Sequence, residues 1–597
     1  MHRQSYRRSL VVAALALFAA AIPGSLWASN AYIVRNLVSD IPDLGDYTDP
    51  HLIGAWGISE SGSSPFWISD AGSGFSTLYS SSGSVIPLVV TIPPSKSTGT
   101  TGTGTPTGTV YNATTGFTIA TGDAAAFIFD TLDGTISGWN HTVNASEAQV
   151  MVDNSATGAV YTGLAIGTNG SNTYLYAANI SAGTIDVFDS TYSPVTLPNA
   201  FQDANLPAGY VPFNIQNLGG NLYVAYALQN TSKTFIAPGA GNGYVDVYST
   251  AGTFMSRLVS GGQLNAPWGL AIAPANFGDY ANDLLVGNFG DGAVNAFNPT
   301  TGAYIATLNN VDGTPIVIPN LWALQAGNGG SGGDANAVYF TAGIPGPDNG
   351  NHGLLGRLQA APVVTAADVV NGANFQPAIA PNTWVSIKGG NLSGTTRVWD
   401  SDDFVSSALP TDIDNVSVTV NGTDAYVEYV SPGQLNVLMP VGLAPGAAQV
   451  QTYNFGLASA AVTVQVQDVA PAFFLQSDGM HVVATHADGS LVGPTSTTTG
   501  ATPAAPGETI VLYGTGFGVT NPAAPEGKLI TTPLSLATLP TITIGGTGSQ
   551  VAFAGLIYAG LYQINVTVPA SSASGDAPVL AMVGSTASLG TSLIAVQ

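Results

Sequence analysis

A short motif returns six times between Ile53 and Ala342: an aromatic residue or threonine, a small residue, then a residue that opens a strand, with a second strand and a glycine-rich turn behind it. The clearest copies are Trp56-Gly57-Ile58, Thr162-Gly163-Leu164, Trp268-Gly269-Leu270 and Trp322-Ala323-Leu324, and fainter ones stand at Thr107-Gly108-Thr109 and Phe213-Asn214-Ile215. The middle residues Gly57, Gly108, Gly163, Asn214, Gly269 and Ala323 follow one another at intervals of 51, 55, 51, 55 and 54 residues. A repeat of roughly 40 to 55 residues holding about four short strands is the period of a propeller blade, because one blade cannot cover both its faces and must stack on neighbours. The spacing predicts a six-bladed β-propeller over 29–360.

Within each period, runs of four to eight apolar or alternating residues are separated by Gly, Asn, Asp or Ser, the pattern of strands and tight turns. The sixth blade is one strand short, and the apolar run 32–38 stands ahead of the first blade without a partner. These two facts predict that the N-terminal strand completes the last blade and removes an open sheet edge. The Thr/Gly run at 97–106 reads as a mobile spacer.

After Ala360 a different duplication begins. Residues 385–392 resemble 510–517, 416–422 resemble 542–546, and Gln434-Leu435-Asn436 resembles Gln563-Ile564-Asn565, all in the same order. Two β-sandwiches over 361–469 and 470–597 account for this, and the Gln-apolar-Asn triplets read as strand side chains that tie a neighbouring loop. The fold class is therefore all-β: a propeller followed by two sandwich domains.

At the N-terminus, His2, Arg3, Arg7 and Arg8 precede an apolar run at 10–22 and a cleavage context around Ala28. This is the pattern of an export signal at 1–28, and it predicts a secreted, cell-surface or periplasmic product with no membrane insertion of the mature chain. The chain has no cysteine, which removes disulfides and thiol catalysis together. A formal charge of −24 excludes nucleic acid and anionic membrane surfaces as expected partners.

The motifs Ala55-Trp56-Gly57-Ile58-Ser59, Ser64-Pro65-Phe66-Trp67-Ile68-Ser69-Asp70, Asp133-Gly134-Thr135-Ile136-Ser137-Gly138-Trp139-Asn140 and Asn265-Ala266-Pro267-Trp268-Gly269-Leu270 resemble an uncharacterised family of secreted bacterial six-bladed propellers over about 30–358. The C-terminal motifs Tyr429-Val430-Ser431-Pro432-Gly433-Gln434-Leu435-Asn436 and Gly560-Leu561-Tyr562-Gln563-Ile564-Asn565 resemble a domain at the ends of many exported bacterial proteins, similar to the immunoglobulin-like IPT/TIG class. These resemblances imply two immunoglobulin-like sandwiches and carry no reaction with them.

Candidate sites follow from the repeat. A lactonase-type hydrolase on this fold would need oxygen ligands converging at the starts of the innermost strands, to bind a hard cation and activate water. Those positions hold Trp56, Thr107, Thr162, Phe213, Trp268 and Trp322. Asn214, with Asp70, Asn179 and Asn288 at the ends of second strands, supplies only a weak metal set, and no catalytic residue is assigned. The same six entries form a candidate tunnel-mouth ring for stacking on flat ligands, and the competing reading wedges the aromatics between blades. Asp40, Asp43, Asp46 and Asp49 admit a structural calcium or a plain solvated link, as do Asp400, Asp402 and Asp403; no other cofactor is expected. The Gly-rich run 327–333 matches hydrolase-serine and dinucleotide patterns only formally, because it lies in a loop between strands. Three functions remain: a noncatalytic binder of a surface polymer, glycan or protein; a metal-dependent tunnel-face hydrolase; and a structural part of a matrix or outer layer. The lack of a coherent catalytic set favours the first.

Overall fold

The computed structural model describes residues 31–97, 102–120, 122–310, 312–346, 351–495 and 500–597. The predicted export signal lies outside these residues, as does the centre of the Thr/Gly run. The described structure is all-β, and Ser29–Ala360 forms one compact unit while 361–597 belongs to another.

Six blade sheets form the ring of the first unit, with innermost strands Ala55–Ser59, Pro106–Tyr111, Tyr161–Asn169, Tyr210–Leu218, Pro267–Ile272 and Leu321–Ala326, and Thr118–Ala120 pairs with Asp123–Ala124 in a small additional sheet. Each innermost strand packs on the next, and the sixth packs on the first, so the sheets close into a ring around an axis. Strands such as Ala55–Ser59 and Phe66–Asp70 are buried at every residue, because another blade covers each face of the sheet. This explains why their sequences read as continuous apolar runs rather than as alternation.

The N-terminal strand Tyr32–Ser39 pairs antiparallel with Leu354–Ala360, with Tyr32 opposite Ala360 and Ser39 opposite Leu354. It is the missing strand of blade six. Blade three departs from expectation with three strands, ending at Thr184–Asp189. The following segment makes a single bridge, Phe188 to Pro194, with Asp189 N donating to Ser193 O and Val195 N to Val187 O. Pro194 and Pro198 lack the N–H groups that a fourth ladder strand needs.

In the second unit, two pairs of sheets enclose two separate apolar cores. Val385, Ile387, Leu435 and Val437 face Val416, Val418, Val450 and Val464 in the first, while Ile510, Leu512, Ile564 and Val566 face Ile542, Ile544, Val579 and Ala581 in the second. Along Val416–Val420 and Gly575–Val583 burial alternates residue by residue, the mark of sheets covered on one face. The duplication is visible in register: Lys388 pairs with Gln434 and Tyr513 with Gln563. In each triplet the glutamine reaches along its own strand, Gln434 Nε2 donating to Asn436 Oδ1 at 2.9 Å and Gln563 Nε2 to Asn565 Oδ1 at 2.7 Å, and Asn436 also bonds Ser386 and Glu428 on the strands either side. Side chains two residues apart project from the same face, so the shortest partner was the neighbour along the strand.

Candidate functional site

The repeated motif occupies the same backbone feature in every blade. Pairing between the first and second strands is interrupted at Trp56-Gly57, at Thr107-Gly108, at Thr162-Gly163, at Phe213, at Trp268 and at Trp322-Ala323. An interruption of this kind is a bulge, which bends the strand and re-aims a side chain. The small residue has its own reason. A Cβ on Gly57 would lie 2.3 Å from Thr107 O, one on Gly108 2.4 Å from Leu164 N, and one on Gly269 2.6 Å from Trp322 O. Glycine is present because the next blade's innermost backbone passes at van der Waals distance.

The residue ahead of it turns toward the axis. Trp56 stacks on Trp322 with centroids 3.5 Å apart, and Trp268 meets both edge-on at 6.4 and 5.9 Å. Phe213 reaches Trp322 at 5.8 Å, and Phe235 of blade four reaches Trp56 of blade one at 6.3 Å, across the ring. Phe289 closes on Trp322 at 4.4 Å. These edge-to-face and stacked contacts form a plug across the strand-entry end of the tunnel. Trp56, Phe213, Trp268 and Trp322 are 0–5% exposed. They neither form an open rim nor wedge between blades, which corrects both sequence expectations: the bulge aims them at the centre, and together they are large enough to fill it. Phe235 and Phe289, from connections between second and third strands, carried no periodic signal and were missed.

The polar entries bind blades to one another. Thr107 Oγ1 lies 2.9 Å from Tyr161 O and 2.8 Å from Asp130 Oδ1 and shares its one proton between them, and Thr162 Oγ1 donates to Phe213 O at 2.8 Å. Asn214 Nδ2 donates to Trp268 O at 2.7 Å, while its Oδ1 accepts from Ile215 N. Thr341 Oγ1 donates to Trp56 O, and the Trp268 indole N–H donates to Thr162 O at 2.8 Å. Asp130 also accepts from Gly108 N at 2.6 Å; burial pushes its carboxyl up to about 6 against these bonds.

The weak metal set does not assemble. Asp70 accepts from Thr77 Oγ1 at 2.8 Å, Asn179 Nδ2 donates to Asp186 at 2.9 Å, and Asn288 Nδ2 donates to Gln263 O at 2.8 Å, each within its own part of the ring. Complete burial holds the Asp70 carboxyl well above the usual range. The aspartates of the 40–49 link likewise take separate partners: Asp40 binds His352 Nδ1, Asp46 binds Arg35, and Asp49 binds His51 Nδ1 and the Tyr79 hydroxyl. Asp403 and Asp414 share Arg397. Among the described residues no group of three or more His, Asp or Glu is placed to hold a metal ion.

Beyond the plug, the innermost strands enclose a cavity of about 220 Å³. All six blades line it, through segments 57–60, 108–111, 164–166, 214–217 and 323–325 and through Trp268. Its polar side chains are Glu60, Ser59, Thr109, Asn214, Gln216, Asn217 and Gln325, with Tyr111. Ser59 and Thr109 bond each other at 3.0 Å, and Asn217 donates to Ile166 O at 2.9 Å. Glu60 receives one long bond, from Gln325 Nε2 at 3.5 Å, and burial pushes its carboxyl up to about 8. The signal for Glu60 was available in the sequence, as one of five glutamates and the residue that directly follows the first innermost strand.

No family model matches the chain. Among solved structures, a streptogramin B lyase aligns over 97% of its own chain and 55% of this one at 13% identity and a TM-score of 0.31, and a glucose dehydrogenase over 99% and 55% at 12% identity and a TM-score of 0.33. Among curated proteins, the uncharacterised protein R648 of Acanthamoeba polyphaga mimivirus is 31% identical over 341 residues, covering 81% of its length and 55% of this chain. Uncharacterised protein L690 of the same virus is 31% identical over 336 residues, covering 85% of its length and 54% of this chain. These relatives are viral, where the sequence motifs led to the expectation of a bacterial family. By identity and coverage, the chain belongs to the same family as the uncharacterised mimivirus proteins R648 and L690.

Proposed function

We propose that this chain is an exported, noncatalytic binding protein whose recognition site is the tunnel cavity beyond the aromatic plug. The observation that supports the reading most is the cavity itself: six blades contribute to one concave space with several polar side chains around an apolar wall, the make-up of small-ligand sites. At about 220 Å³ it suits a small molecule or the terminal group of a polymer. The plug acts as a rigid floor, so a ligand enters from the end where the innermost strands leave the tunnel. The two sandwiches, on this reading immunoglobulin-like, serve as spacer or adhesive modules. The acidity of the chain argues for neutral or cationic partners over nucleic acid.

A screen of the purified full chain against glycans, cell-surface polymer fragments and small polar metabolites tests this. The wild type is expected to bind, and Gln216→Trp, which fills the cavity without touching the plug, is expected to lose at least tenfold in affinity. Binding that Gln216→Trp leaves unchanged would place recognition elsewhere.

A further inference from the structure

Glu60 stands out within the tunnel. Its side chain lies at the cavity wall where blade one meets blade six, its Oε2 is buried with no hydrogen-bond partner, and its Oε1 has only the 3.5 Å contact from Gln325. Around it the structure is built closely. Asn328 Nδ2 donates to Ser61 O and Ser64 O, and its Oδ1 accepts from Gly330 N and Gly332 N, so the 327–333 loop is held against the turn that follows Glu60. A Cβ on Gly332 would sit 2.0 Å from Glu60 Oε2. The glycine leaves room for Oε2 and nothing more on that side, so Oε1, which meets Gln325 at the cavity wall, is the oxygen left to face a ligand in the tunnel.

The other titratable groups on the elements packed around Glu60 are Tyr111 on the next innermost strand, and Asp334 and Tyr339 on blade six. None is basic. An ionised carboxylate here without a counter-charge is costly, so the group stays protonated unless a cation is brought to it. Resting on the tunnel reading above, we infer that Glu60 is the anchor for a cationic group, a primary ammonium or guanidinium, of the ligand that enters the cavity. Gln325, and Gln216 or Asn217 across the tunnel, then supply neutral bonds to the rest of that ligand.

The proposal fixes a proton count. With the tunnel empty, burial holds the Glu60 carboxyl protonated up to a pH of about 8. A cation binds the ionised form, so binding at neutral pH releases a proton. Affinity for a cation therefore rises by about tenfold per pH unit until about pH 8 and then levels off. A neutral ligand of the same shape shows no such slope.

The test uses the full-length protein with n-butylammonium chloride and n-butanol as probes, followed by ligand-observed NMR at constant ionic strength from pH 5.5 to 9. The expected result is binding of the ammonium in preference to the alcohol, with the stated slope. Glu60→Gln is expected to abolish both preference and slope, and the wild-type pH profile keeps the test valid should that variant fold poorly. Ammonium binding that is flat with pH, that survives Glu60→Gln unchanged, or that is not detected would overturn the inference. If other ligands still bind wild type and fail on Gln216→Trp, the tunnel reading stands and only the Glu60 assignment falls; if Gln216→Trp retains all binding, the tunnel reading falls as well.

Discussion

At the residue scale, the repeat has two separate causes that its sequence presents as one. The aromatic or threonine is selected by what lies across or beside the axis, and the small residue by the backbone of the next blade. The second cause was legible only as a glycine in register; its reason, a neighbouring strand 2.3 to 2.4 Å from the added Cβ, belongs to the folded ring. The exceptions follow the same logic: Asn214 replaces glycine in blade four and uses its carboxamide to reach Trp268 O. Gly57→Ala and Gly108→Ala are expected to destabilise the propeller by about 2 kcal/mol or more, since overpacking against backbone cannot relax by a rotamer change. Gly62→Ala, with nothing within 4 Å of the new methyl, should be silent within about 0.5 kcal/mol. Denaturant melts of the three variants would decide this, and equal stability for all would remove the close-approach account. Glu60 was readable as a rare glutamate, but its isolation was not, because the loop that shields it is tied to Ser61 by Asn328, 267 residues further along the sequence.

At the scale of elements, the strand that closes the ring is the one whose partner sequence analysis could name. A run at the N-terminus without a partner and a last blade with a missing strand leave one economical solution, and Tyr32–Ser39 takes it beside Leu354–Ala360. Deleting 31–39 would expose the edge of Leu354–Ala360 and remove Tyr32 and Leu37 from their cores. The expected outcome is a propeller that unfolds at lower temperature and self-associates, measured by calorimetry and size-exclusion chromatography, while the transition of 361–597 keeps its midpoint. A monomer with an unchanged propeller transition would show that closure is not what holds the ring. Blade three was misjudged for the reason that element counting fails in general. Pro194 and Pro198 sit where a fourth strand was due by period, and period says nothing about which residues can donate to a ladder. The aromatic plug was misjudged because six positions related by a repeat look equivalent in sequence, whereas Phe235 and Phe289 join it from irregular connections.

At the scale of the whole molecule, the unusual feature is the number of buried acids held above their ordinary range: Asp130 to about 6, Asp246 and Glu428 to about 7, Glu60 to about 8, and Asp70 well above the usual carboxylate range. Burial is the first cause in each. A carboxyl raised in the folded state stabilises fully below its unfolded value and loses that contribution as pH rises through the folded value. His481, bonded to Asp478 and Asp576, and His486, bonded to Glu508, are also raised and act in the same direction. The lowered carboxyls, Asp403 and Asp414 beside Arg397 among them, oppose these groups only in strong acid. Stability should therefore be greatest in mild acid and fall between about pH 5 and pH 8 in both compact units, and thermal melts across that range would reveal a flat or rising profile if the burial account were wrong. The same acids frame the functional claim, since only Glu60 among them faces the tunnel. The claim is tested most directly by a crystal structure of the full chain with a ligand from the binding screen. The account predicts density in the tunnel between Trp268 and the Glu60–Gln325 wall with the aromatic plug unmoved; a ligand seated on the strand-entry face, or a plug opened to admit it, would contradict it.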